Sequence, residues 1–104
     1  MTPRPFATLR AVVAEVYGIP ETKLVGRNVG RKYSRPRQVL ACLCRELFGM
    51  SYAEVGALID RDHATVIYAR RCVMKQLGDS DITRFRVNRI TQEYARRMIM
   101  GEAA

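Results

Sequence analysis

Apolar residues along the chain recur at helical spacing in successive blocks, and no segment alternates polar and apolar positions long enough to make a half-buried strand. Phe6, Leu9, Val12, Val13, Val16 and Tyr17 form the first block, and Gly18 supplies a stop, which predicts a helix over about residues 6–17. Residues 1–5, with two prolines and an arginine, read as a flexible arm. Pro20, Glu21 and Gly26 suit the start, first turn and end of a short second helix of about residues 20–25, packed down by Ile19, Leu24 and Val25. Residues 27–33 have no period and carry three basic residues, so a basic loop is expected there.

Ser34 as a cap and Pro36 in the first turn point to a third helix of about residues 35–48, burying Val39, Leu40, Leu43, Leu47 and Phe48 and ending at Gly49. Ser51-Tyr52-Ala53-Glu54 has the form of a capping box and opens a short helix with Tyr52, Val55, Leu58 and Ile59 inward, its Gly56 permitting close approach of a neighbouring helix. After Asp60-Arg61 the period restarts, with Val66, Ala69, Val73 and Leu77 inward and His63, Thr65, Tyr68 and Arg71 outward. Two helices across a tight turn, spanning residues 51–77, have the layout of a helix-turn-helix. Cap residues Asp79-Ser80-Asp81 then begin a last helix over 81–100, with Ile82, Phe85, Ile90, Tyr94 and Met98 on one side, Arg84, Arg86, Arg89, Arg96 and Arg97 on the other, and Gly101 at its end. The pattern predicts an all-α fold of five to six helices in a single domain, residues 1–104.

At 104 residues the chain has enough length for one core, and its apolar runs fall far short of the about 18 residues needed to span a bilayer. Eighteen Lys and Arg against ten Asp and Glu give a net charge of +8. That excess implies an anionic partner, nucleic acid foremost. Between Arg27 and Arg45 lie six basic residues and no acidic one. The cluster crosses a loop and a helix start, which argues against a membrane-surface helix face. Cys42, Cys44 and Cys72 are read as reduced, buried thiols of a cytoplasmic, nucleoid-associated protein. No metal or other cofactor is expected, since the single histidine is His63 and a Cys-x-Cys pair on a helix splays its sulfurs.

The chemistry concentrates at Arg61-Asp62-His63-Ala64-Thr65-Val66, the start of the second helix of the pair. Such a helix reads DNA with its first turn, which enters the major groove. His63 can donate to guanine or phosphate oxygens, Thr65 offers a hydroxyl and a methyl, Ala64 can touch a thymine methyl, and Asp62 can accept from cytosine. Asp62 is equally suited to capping the helix or orienting Arg61, and His63 in isolation would suit a structural role.

The stretches Ser34-Arg35-Pro36-Arg37-Gln38, Arg45-Glu46-Leu47, Ser51-Tyr52-Ala53-Glu54-Val55-Gly56 and Arg61-Asp62-His63-Ala64-Thr65-Val66 with Ala69 resemble the C-terminal, origin-binding domain (domain IV, a Trp-repressor-like helical fold) of the bacterial replication initiator DnaA. The resemblance runs from about Thr8 to Ile90. It implies that Asp62, His63, Ala64 and Thr65 read bases, that Arg37, Gln38, Arg45 and Arg61 hold phosphates, and that Ser51 and Tyr52 lie beside the DNA backbone or a thymine methyl. Three departures stand out: Ala64 replaces a threonine, the turn at Leu58-Ile59-Asp60 is one residue shorter than the family's glycine-containing turn, and Val29 occupies the place of a minor-groove arginine. Arg27, Arg31 or Lys32 would have to substitute in the minor groove. The family's ATPase module has a Gly-x-x-x-x-Gly-Lys-Ser/Thr loop; none occurs here, so no nucleotide is expected. The opening methionine suggests a small stand-alone protein, an excised fragment being the other possibility.

The function expected is therefore sequence-specific binding of double-stranded DNA in replication-origin control or transcription regulation. The alternative is a regulatory module whose main partner is another protein, or a homodimer formed through the last helix. An enzyme is disfavoured, because the adjacent Asp62-His63 couple points in directions about 100° apart on a helix. Sheet-based recognition of single-stranded RNA would need an aromatic platform that the sequence lacks.

Overall fold

The computed structural model describes residues 3–26 and 30–101. Five α-helices and one 3-10 turn account for the described residues, in the order α1 (Arg4–Tyr17), the 3-10 turn (Glu21–Lys23), α2 (Arg31–Phe48), α3 (Tyr52–Ile59), α4 (His63–Asp79) and α5 (Asp81–Met100). α2 is the central element, packed against α1, α3 and α4, while α5 closes the bundle along α1. Its Val39, Leu40, Leu43 and Cys44 meet Leu9, Val12 and Val13 of α1, Val55 and Ile59 of α3, Val66 and Val73 of α4, and Ile90 of α5 in one continuous core. No helix among the described residues is long and apolar enough to cross a membrane.

Helix ends follow the local chemistry. Gly18 takes a left-handed conformation (φ 66°) that lets its N–H reach the last carbonyls of α1. The Ser51 hydroxyl accepts from the Glu54 N–H at 3.1 Å while the Glu54 carboxylate accepts from the Ser51 N–H at 2.8 Å, the reciprocal pair that the sequence predicts. Ser80 caps α5 by accepting from the Thr83 N–H. Cys42 and Cys44 are buried, and burial pushes their thiols up to about 11 and about 12.

Several expectations are corrected. Arg4 and Pro5, assigned to the arm, form the first turn of α1, where a proline fits because its missing N–H has no helical partner. Residues 20–25 make only a 3-10 turn, with Leu24 fully buried behind it. The basic loop is shorter than 27–33: α2 begins at Arg31 with Gly30, not Ser34, at its N-cap, and Arg31, Lys32 and Tyr33 are helical. Pro36 consequently lies inside α2; its buried ring costs the helix one internal hydrogen bond. Arg27 lies outside the described residues. Gly56 is approached by backbone from the following turn and not by a neighbouring helix, as a Cβ there would stand 2.4 Å from the Arg61 carbonyl oxygen.

In α5 the inward row is Thr83, Val87, Ile90 and Tyr94, leaving Ile82 and Phe85 more than 60% exposed (63% and 62%). Phe85 precedes Ile90 by five residues, which rotates it about 140° away once Ile90 is buried. Ile99 and Met100 are also exposed and close no core. Arg97, expected outward, bridges α5 to α1 through two hydrogen bonds to Glu15, at 2.9 and 2.5 Å, and one to Glu93 at 2.7 Å.

Hydrogen bonds from Arg96 and Arg97 hold the Glu93 carboxyl down at about 2, against an ordinary value of 4.5. A depressed carboxyl favours the folded state above its ordinary value and ceases to do so as pH falls toward the folded-state value. The destabilisation caused by Glu93→Gln should therefore be complete above about pH 4.5 and fade between there and about 2. Urea midpoints of both proteins across that range measure it, and a constant difference would exclude the ion-pair origin.

Candidate nucleic-acid interface

The helix-turn-helix consists of α3 and α4 joined through Asp60, Arg61 and Asp62. Ile59 is buried, which forces the chain to reverse at once. Asp60 makes the reversal in the left-handed region at φ 57°, the only described non-glycine residue there. Both the Asp60 and Arg61 N–H groups donate to the Gly56 carbonyl, the latter at 2.9 Å. The turn thus lies directly against α3, and only glycine at 56 leaves room for it.

Asp62 is the N-cap of α4: one of its carboxylate oxygens accepts from the Thr65 N–H at 2.9 Å and from the Thr65 hydroxyl at 2.8 Å. The cap fixes the Thr65 rotamer and engages its hydroxyl proton, leaving the oxygen lone pairs and methyl for a ligand. His63 and Ala64 project from the first turn and are exposed, and the helix dipole adds partial positive charge at this end. These four residues are brought together on one short surface.

Beside it, α2 and α4 enclose a cleft of about 200 Å³. Ser34, Arg37 and Gln38 line one wall and Thr65 and Tyr68 the other, over a floor of Ala41 and Ile59. The Nε and Nη2 of Arg37 are buried and have no hydrogen-bond partner among the described residues. Burial, and then the nearby positive charge of Arg61, lower the Arg37 pKa. An unpaired, desolvated guanidinium next to a second one is an arrangement that a bound anion would relieve. Gln38 accepts from Arg35 Nη1 at 3.0 Å.

The remaining predicted residues are tied into the scaffold. Arg45 donates from Nη1 to the Met50 carbonyl at 2.7 Å and stacks 4.1 Å from the centre of the Tyr52 ring, joining the end of α2 to the start of α3. Arg61 donates from Nε to the Gly26 carbonyl at 2.7 Å, and the Gly26 N–H donates to the Ile59 carbonyl at 3.0 Å. The root of the basic loop is thereby clamped to the turn of the helix-turn-helix. Arg31 and Lys32 are exposed on the first turn of α2, with Lys32 Nζ 5.2 Å over the Tyr33 ring. Ser34, expected only as a helix cap, lines the cleft because α2 extends back to Arg31 and puts Ser34, Gln38 and Ala41 on one face.

The family model for the bacterial DnaA protein helix-turn-helix matches residues 7–73, which contain the cleft, the turn and the start of α4. The chain belongs to the bacterial DnaA helix-turn-helix family. It is 36% identical over 94 residues to chromosomal replication initiator protein DnaA 1 of Chlamydia trachomatis serovar D, covering 90% of this chain and 20% of that protein. The counterpart in Chlamydia muridarum is 38% identical over 77 residues, covering 74% and 17%, and the DnaA of Corynebacterium jeikeium is 35% identical over 83 residues, covering 79% and 14%. The chain therefore spans about a fifth or less of the length of these relatives. The all-helical architecture is that of the DnaA DNA-binding domain, with Asp60 making the turn between α3 and α4.

Gly56→Ala should lower stability by about 1–3 kcal/mol, the usual cost of overpacking, because its Cβ meets fixed backbone. Gly78→Ala, in α4 with nothing within 4 Å of the added Cβ, should raise stability by up to about 1 kcal/mol. Equilibrium urea unfolding distinguishes the two signs.

Proposed function

We propose that this chain binds duplex DNA sequence-selectively through α4 and α2 and acts in replication-origin control or in transcription regulation. The observation that carries the proposal is the Arg37 guanidinium, two of whose nitrogens are buried without a hydrogen-bond partner among the described residues, in a cleft it shares with Thr65 at the capped start of α4. The DnaA relatives, named as chromosomal replication initiators, favour the origin role.

Asp62, His63, Ala64 and Thr65 are assigned to base edges in the major groove, with Asp62 acting chiefly through its hold on Thr65. Arg37 and Gln38 take a phosphate in the cleft. Ser51 and Tyr52 border the backbone on the far side, with Arg45, stacked on Tyr52, holding the same phosphate row. Arg61 sets the basic loop in register while adding positive charge beside Arg37. Arg31 and Lys32, on the first turn of α2, and Arg27 are assigned to the minor-groove contacts. Ala64 brings a methyl where the family offers a hydroxyl, so the preferred site differs from the family's at the base it faces.

With about six phosphates neutralised, log K should fall against log salt with a slope of roughly −5. His63→Ala should lower the ratio of specific to non-specific affinity, while Arg37→Ala should weaken binding to every sequence alike. Selection from random duplexes, followed by anisotropy titrations of both variants, measures this. No enriched motif, or indistinguishable losses on all sequences, would overturn the sequence-selective assignment.

A further inference from the structure

Of the five arginines on α5, three are neutralised: Arg84 by Asp81, Arg96 by Glu93, and Arg97 by Glu15 and Glu93. Arg86 and Arg89 differ, for each is held by an aromatic ring. The Arg86 guanidinium stacks 4.8 Å from the centre of the Tyr17 ring at the end of α1, and Arg89 lies 6.0 Å from that of Phe85. A ring orients a guanidinium but leaves its full charge in place. Neither has a carboxylate partner among the described residues, and the two stand on adjacent turns of one exposed helix surface.

That surface connects to the proposed interface. Arg35, on the first half of α2, bonds only to the neutral Gln38 side chain, itself part of the α2–α4 cleft. The charges of Arg35 and Arg86 act together on the buried Tyr17 hydroxyl, partly opposing the rise in its pKa that burial causes, and Arg35 acts similarly on Tyr68 of α4. Lys23 and Lys32 flank the Tyr33 ring at the start of α2. Cations thus run along α2, with no acidic residue between Arg27 and Arg45, and approach Arg86 of α5 at Tyr17, while Arg89 borders a groove that it shares with Glu15 and Glu93.

We propose that Arg35, Arg86 and Arg89 form a second phosphate-binding surface, which holds duplex DNA flanking the site gripped by the helix-turn-helix. The inference rests on the DNA-binding function proposed above and adds a longer footprint to it. Duplex DNA is the occupant because arginines without carboxylate partners among the described residues, lying beyond a helix-turn-helix, match the next stretch of the same phosphate backbone.

The test uses the full chain, the double variant Arg86→Gln/Arg89→Gln and the single variant Arg89→Gln, whose ring partner is exposed and whose fold is least at risk. Each is titrated at several salt concentrations against a duplex trimmed to the selected site and against the same site extended by about ten base pairs, one helical turn, on each side. Wild type should bind the extended duplex more tightly and with a steeper salt slope. The double variant should match wild type on the trimmed duplex and lose about 1.8 from the slope on the extended one, the single variant about 0.9. Retention of the full wild-type gain by both variants, or equal loss on both duplexes, would overturn the second surface while leaving the helix-turn-helix assignment intact. Wild type that binds neither duplex would overturn that assignment and this inference together, and stoichiometric capture of an acidic protein in place of flanking DNA would reassign the surface.

Discussion

Everything distinctive about this molecule depends on how closely the chain folds back at the end of α3. The Gly56 carbonyl takes two N–H groups from the turn, and the Arg61 carbonyl lies where a Cβ on residue 56 would be. This contact fixes where α4 begins, and hence the direction in which Asp62, His63, Ala64 and Thr65 project. Through Arg61 and Ile59 it also fixes Gly26, so a single turn sets the root of the basic loop and the start of α4 at once. A hydrophobic core alone would allow α3 and α4 to slide; the backbone contact gives them one register.

The electrostatics follow from that geometry. Arg61 is drawn inward to bond the Gly26 carbonyl, which places a cation beside Arg37 and adds to the lowering of its pKa that partial burial causes. Other arginines are neutralised by carboxylates, Arg70 by Glu46 and Arg97 by Glu15 among them. The contrast between paired and unpaired arginines, more than the net charge of +8, is what the proposed anion-binding surface rests on.

Much of this was legible in the residues. The Ser51–Glu54 capping box, the Gly18, Gly49 and Gly101 stops and the 81–100 helix depend on interactions within a few positions, and local pattern captures those. What escaped it depended on contacts distant in sequence. Ser34 and Pro36 resembled a helix start, yet α2 extends back to Arg31 because helix-forming residues precede the proline and its ring packs inside. Ile82 and Phe85 looked like core, but the phase of α5 is set by Ile90 and by the Arg97–Glu15 bridge, a pair 82 positions apart. The residues of the site were readable as a motif; the partnerless state of Arg37 was not, since it arises from packing between α2 and α4.

The three thiols divide the molecule in a useful way. Alkylating and oxidising reagents attack the thiolate, and Cys42 and Cys44, buried and held near 11 and 12, present almost none of it at neutral pH. Cys72 is only half-buried and sits one turn beyond Tyr68 on α4. The native chain thus carries a single chemically addressable handle on the element assigned to DNA, so a fluorophore or spin label can be attached there without engineering a cysteine or removing one.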